Sequence, residues 1–177
     1  MPLFTPDLLK NRITDITLDD LRALGVRGLL LDVDNTLTTH GSQKLDPAVR
    51  YWLEEMAAQG IALTVVSNGL PKRVEPFAQK IGLRHIAFAC KPCPLGFWRG
   101  VHRLGLKRRE CAAVGDQTFT DILGSRLAGV RSIQLMPIKL EQQPTLRFKR
   151  MLERKILRRY RRKHGLPEPK ESTKPIH

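Results

Sequence analysis

Short apolar runs alternate with amphipathic stretches from residue 28 to residue 135. Leu29-Leu30-Leu31 is the first run, and residues 61–66, 86–89, 111–114 and 130–135 repeat it. Runs of that length bounded by turn residues read as buried strands of a parallel sheet. The stretches between them have helical spacing. Thr17 is an N-cap followed by Asp19 and Asp20, and that helix stops at Gly25. Asp46-Pro47 opens a second helix, with Val49, Trp52, Leu53 and Met56 on its apolar side and Gly60 at its end. Further helices are predicted over residues 71–82, 95–104 (stopped by Gly105) and 121–128. Strand–helix alternation of this kind, with no internal repeat, predicts an α/β fold: a doubly wound, Rossmann-like parallel sheet with helices on both faces.

The strand ends carry the chemistry. The first run delivers Asp32 and Asp34, the second Ser67 and Asn68, the third Lys91, and the fourth Asp116, with Asp121 shortly after. Ends of parallel strands share one edge, where open α/β sheets bind ligands, so residues far apart in sequence are expected to meet there. Two carboxylates this close repel, and a divalent cation relieves that repulsion. Hard oxygen ligands suit Mg²⁺, which binds few carboxylates together with substrate phosphate. Asp32, ionised near neutral pH, is a nucleophile able to form an aspartyl-phosphate. Asp34 is placed to protonate a leaving alcohol and then activate water. Lys91 supplies a point charge, Ser67, Asn68 and nearby backbone N–H groups hold phosphoryl oxygens, and Asp116 completes the metal site.

Charge changes the picture beyond residue 137. The chain of 177 residues carries a net charge of +14, which points to an anionic partner. Residues 146–163 hold ten Lys and Arg against Glu153 alone, with Phe148, Met151, Leu152, Ile156 and Tyr160 at roughly helical spacing. Three readings of this basic amphipathic helix stand: docking on an anionic membrane surface, binding nucleic acid or ribosome through phosphates, or packing on the domain with its basic face solvated. The organisation expected is an N-terminal segment (1–26), a core (27–140), the basic helix (141–164) and a disordered tail (165–177). Three cysteines without a disulfide framework favour a reducing compartment, and no signal peptide or membrane-spanning run is present, so a cytoplasmic protein is expected. Cys90 and Cys93 flank Lys91 at no diagnostic metal spacing and read as incidental thiols; Phe97 and Trp98 read as core.

Asp32-Val33-Asp34-Asn35-Thr36, Ser67 after an apolar strand, Lys91 before proline, and Gly115-Asp116 with Asp121 resemble the four motifs of the haloacid dehalogenase superfamily of phosphatases. The resemblance implies Asp32 as nucleophile, Asp34 as acid/base and backbone-carbonyl metal ligand, Ser67 and Lys91 on the phosphate, and Asp116 on the metal. It further implies Asp121 supporting the metal shell and Thr36 the loop. Superfamily members carry caps after the first motif or between the second and third; only about thirty residues separate Asp34 from Ser67, and fewer separate Ser67 from Lys91, so no cap fits. Gly115-Asp116-Gln117-Thr118-Phe119-Thr120-Asp121-Ile122, with the first motif and Lys91-Pro92, resembles the YqeG family, a class IIIA branch similar to phosphatidylglycerophosphate phosphatases. The expected activity is therefore Mg²⁺-dependent hydrolysis of a phosphomonoester, with a lipid phosphate favoured as substrate. The alternatives are a soluble phosphometabolite, or a nucleic-acid- or ribosome-associated protein working through its basic helix. The oligomeric state is open.

Overall fold

The computed structural model describes residues 3–138 and 144–167, with side chains of the second stretch from residue 151. Six parallel strands form one sheet: β1 (Leu8–Lys10), β2 (Gly28–Leu31), β3 (Ala62–Val66), β4 (Arg84–Ile86), β5 (Cys111–Gly115) and β6 (Arg131–Leu135). Their spatial order is β1-β6-β5-β2-β3-β4. The chain builds outward from β2 through β3 to β4, then crosses to β5 on the other side of β2. That reversal puts a switch point beside β2, the crevice where such sheets bind ligands.

Alternation along each strand divides the core between the two faces. Leu29, Leu31, Val65, Ala112 and Val114 join one apolar cluster with Leu21 of α1 (Leu18–Leu24), Trp52 of α2 (Pro47–Ala58) and Phe77 of α3 (Pro71–Lys80). Leu30, Val66 and Ala113 face the opposite way, into a cluster with Phe97 and Val101 of α4 (Leu95–Leu104) and Ala128 of α5 (Leu123–Ala128). Trp52 is the anchor of the first face: its ring is buried and its Nε1 donates to Ile16 O at 2.9 Å. The local signals act as expected. Thr17 Oγ1 accepts from Asp20 N, Asp46 Oδ1 accepts from Ala48 N beside Pro47, and Gly25 and Gly105 close their helices in the left-handed region.

Three elements differ from the sequence pattern. β1 was not predicted: three residues carry no periodicity, and its support is a partner strand over a hundred residues away, reinforced by Ser132 N and Oγ donating to Asp7 Oδ2. The strand expected over 86–89 lies earlier, at Arg84–Ile86, because Phe88 adopts a left-handed φ of 48° that no strand accommodates. The helix expected from 121 begins instead as a π-helical turn, Thr118–Ile122, a form frequent at functional sites.

Chain contacts divide the molecule into residues 1–140 and 141–177. In the second unit, α6 (Pro144–Lys163) covers the basic stretch; Tyr160 stacks on His164 with ring centroids 4.3 Å apart, and Arg161 Nη1 donates to Pro167 O. The tail expected to be disordered lies outside the described residues from 168 onward. No helix among the described residues is long and apolar enough to cross a membrane.

Candidate active site

β2 ends at Leu31, paired with Val65 of β3 and Val114 of β5, so the next residue of each strand emerges at the same edge. Asp32 extends the ladder by one bond, its N donating to Val114 O at 2.9 Å. The chain then turns tightly. Asn35 takes a left-handed φ of 57°, which a short polar side chain tolerates, its N donates to Thr38 O, and Leu37 N donates to Val33 O. Thr36 lies inside this turn, buried, with Oγ1 lacking a hydrogen-bond partner among the described residues.

Three carboxylates meet at the strand ends. Asp32, Asp116 and Asp121 are all buried, and their oxygens lie within 4.8 Å of one another. Lys91 closes the cluster: Nζ donates to Asp32 Oδ1 and to Asp121 Oδ1, each at 2.6 Å. Burial pushes the Asp32 carboxyl up to about 7; Lys91 opposes the rise, while Asp121 and Asp116 add to it. Burial by itself would depress the Lys91 ammonium, but Asp121 and Asp32 outweigh it and hold the group above its ordinary value. Three buried carboxylates facing one ammonium leave an excess of negative charge, which is expensive without a further cation. The donors are hard oxygens in a compact set, and they fit a hard divalent cation.

Gly115 makes this geometry possible. A Cβ there would stand 2.3 Å from Asp121 Cγ, so the residue before Asp116 has to be glycine for Asp121 to reach the cluster from the π-helical turn. Asp121 thus joins the carboxylates directly, where the resemblance implied only a supporting part.

Asp34 points elsewhere. Its carboxylate accepts from Arg73 Nη1 on Oδ2 at 2.5 Å and from Arg73 Nη2 on Oδ1, and it accepts from Gly41 N at 3.2 Å, with His40 Nδ1 at the same distance. Burial works against the Asp34 charge, yet Arg73 outweighs it and holds the carboxyl below its usual range. Arg73 also feels the charge of Asp32. Sequence reasoning did not single out Arg73. A weak signal was there: half-buried Arg73 is a cation in the first turn of α3, the helix end that disfavours positive charge, which is consistent with a carboxylate partner.

Ser67 is buried beyond β3, with Oγ accepting from Gly69 N at 3.1 Å. Asn68, expected on the phosphate, commits its amide to the lysine loop: Nδ2 donates to Lys91 O at 3.0 Å, and Oδ1 accepts from Lys91 N at 2.7 Å. Removing this two-point clamp in Asn68→Ala should lower kcat roughly tenfold to a hundredfold with about 1–2 kcal/mol lost in stability. Asn68→Asp, which keeps the acceptor and loses the donor, should fall between. Steady-state kinetics on an aryl phosphate with parallel urea melts measure both; an unchanged kcat for Asn68→Ala would deny the clamp a role.

The chain is similar to known proteins. The profile of the haloacid dehalogenase-like hydrolases matches residues 41–129, half of the chain. The protein is 36% identical to "Probable phosphatase YqeG" of Bacillus subtilis over 160 residues, covering 90% of this chain and 93% of that one. The chain belongs to the haloacid dehalogenase-like hydrolases. Within them it is a phosphatase of the YqeG kind. It is also 30% identical to "Phosphatidylglycerophosphate phosphatase 1, chloroplastic/mitochondrial" of Arabidopsis thaliana, covering 81% of this chain but 44% of that longer protein. Among solved structures, NagD from Escherichia coli shares the fold with a TM-score of 0.54 at 11% identity, over 67% of this chain and 93% of that one. Between Asp34 and Ser67 the chain holds one helix and one strand, between Ser67 and Lys91 again one of each, with no inserted cap among the described residues.

Proposed function

We propose that this phosphatase is a Mg²⁺-dependent phosphomonoester hydrolase working through an aspartyl-phosphate on Asp32, with phosphatidylglycerophosphate as its substrate. The observation that carries the reading is the buried Asp32–Asp116–Asp121 cluster bridged by Lys91 at an uncapped sheet edge. Asp32, Asp116 and the backbone carbonyl of Asp34 would hold Mg²⁺, with Asp121 beside them. Bound there, Mg²⁺ neutralises the carboxylates and the charge that builds on the phosphoryl oxygens.

In the first half-reaction an Asp32 oxygen bonds to phosphorus as the phosphorus–alkoxide bond breaks, and Asp34 gives its proton to the departing oxygen. In the second, Asp34 takes a proton from water, the water oxygen bonds to phosphorus, and the Asp32 carboxylate leaves. Lys91 and the Ser67 hydroxyl hold the non-bridging oxygens throughout. Arg73 is coupled to both Asp32 and Asp34, so an entering phosphate competes with Asp34 for the guanidinium. That competition loosens the grip that keeps Asp34 ionised and lets it carry a proton.

An uncapped edge favours a substrate too large to be enclosed, and a lipid phosphate at a bilayer surface is such a substrate. The resemblance to the Arabidopsis enzyme points the same way, and α6, with its ten basic residues over 146–163, suits a peripheral protein on an anionic surface. The deciding assay is phosphate release from phosphatidylglycerophosphate in mixed micelles, with and without Mg²⁺. Turnover should require Mg²⁺ and vanish in EDTA. Hydrolysis of an aryl phosphate with none of the lipid would keep the mechanism and remove the lipid, leaving a soluble phosphometabolite as substrate. Inactivity on both would overturn the reading in favour of nucleic-acid binding by α6.

A further inference from the structure

Three large apolar side chains stand exposed beside the phosphate-binding residues: Leu70 at 54%, Phe88 at 61% and Leu95 at 58%. Their backbones are neighbours. Phe88 N donates to Gly69 O, next to Leu70, and Ala89 N donates to Ser67 O, both at 2.9 Å. A Cβ on Gly96 would stand 2.6 Å from Ala89 O, so the first turn of α4, which Leu95 begins, lies directly on the Phe88 loop. The three exposed side chains therefore spring from neighbouring backbone close to Ser67 and Lys91.

Phe88 is the most informative of them. A bulky L-residue adopts a φ of 48° only under strain. The residue gains little burial within the protein in exchange, since most of it faces solvent. Strain and exposure at one aromatic residue beside a catalytic edge indicate a surface whose use lies outside the molecule.

Charge identifies the occupant. Of the Lys and Arg over residues 67–110, Arg73 is held by Asp34 and Lys91 by Asp32 and Asp121. Those that end α3 and α4, begin β4 or precede β5 lie at the opposite edge of the sheet, which leaves two exposed cations near the apolar side chains and no acid beside them but Glu75. Lys72 lies two residues from Leu70 and is exposed; exposed Arg99 lies one turn beyond Leu95 on α4, on the same helix side. Apolar tips set among cations match a bilayer interface, where side chains enter the acyl boundary while cations meet anionic head groups. A second copy of the chain fits poorly, because a two-fold contact would set these cations against themselves. We propose that Leu70, Phe88 and Leu95 form an insertion rim through which the catalytic edge docks on an anionic lipid bilayer, so that a head-group phosphate meets Asp32 without leaving the membrane. The proposal rests on the lipid reading for its substrate, and its test is independent of turnover.

The full-length Phe88→Trp protein, mixed with phosphatidylglycerol–phosphatidylcholine vesicles whose acyl chains carry bromine, reports insertion. Trp52 is buried and Trp98 half-buried, so wild type supplies the background. The added emission should shift to the blue and be quenched by the acyl bromines. Leu70→Ser with Leu95→Ser should weaken vesicle binding about tenfold while hydrolysis of a soluble aryl phosphate is retained. Phe88→Trp protein that co-sediments with vesicles yet is unquenched would overturn the rim, as would failure to co-sediment. A dimer in sedimentation equilibrium that the two serine changes dissociate would also overturn it, assigning the patch to a second copy. Quenching without hydrolysis of phosphatidylglycerophosphate would keep the rim and discard that substrate.

Discussion

Asp32→Asn should abolish phosphate release, by about 10⁴-fold or more, while the fold is retained. An amide of the same shape has no charge to bring to phosphorus and forms no acyl phosphate. The structural consequence runs the other way. Asp32 is buried, and burial first, then Asp121 and Asp116, raise its carboxyl from 3.8 to about 7 against the pull of Lys91. A folded-state value above the unfolded one means that stability linked to this proton is full below about pH 4 and is lost as pH rises through about 7. In EDTA at pH 8, wild type carries that cost and Asp32→Asn does not. The variant should therefore melt at or above wild type at pH 8 and match it at pH 5. Adding Mg²⁺ at pH 8 should stabilise wild type more than the variant, because the cation replaces the missing proton. Thermal melts at both pH values, run beside the phosphate assay, check all three statements. A variant melting well below wild type at pH 8 would make Asp32 a structural residue instead.

Lys91→Met should damage activity and stability together. The ammonium is buried and bridges Asp32 and Asp121 at 2.6 Å each. Its loss leaves the carboxylates facing one another uncompensated, at about 3–5 kcal/mol. Since Asp121 and Asp32 hold Lys91 above its ordinary value, its contribution persists across neutral pH. Relief comes from the acids: at pH 5 Asp32 is protonated, so the loss measured by urea unfolding should be smaller there than at pH 8. Turnover should fall about a thousandfold, as expected when a fixed charge opposite the reacting group is removed. Lys91→Arg should not rescue it, because a planar fork does not replace a point charge in a gap this tight. Equal destabilisation at both pH values would assign the effect to packing rather than charge.

The sequence by itself determined the order of elements and the residue types at the strand ends. Those are local properties: apolar runs set strands, Thr17 and Asp46-Pro47 start helices, and Gly25 and Gly105 stop them. One rule, that parallel strands end at one edge, then brought Asp32, Ser67, Lys91 and Asp116 together on paper. Only the tertiary structure decided their pairings. Because β5 lies beside β2, Asp116 and Asp121 approach Asp32 from one side while Lys91 closes the cluster from the loop after β4. Asp34, two residues from Asp32, turns instead to Arg73, since the turn through Asn35 redirects the chain and α3 presents a guanidinium there. Asn68 proved to be bonded to the Lys91 backbone, 23 residues away. β1 is not legible because three residues have no period, and their stability comes from β6, over a hundred residues away along the chain. The exposure of Phe88 was equally hidden, for it depends on one backbone angle that breaks a strand the apolar pattern predicted. Spacing along a chain encodes which way side chains face within an element; which partners they meet depends on the order in which the elements assemble, and that is a property of the whole fold.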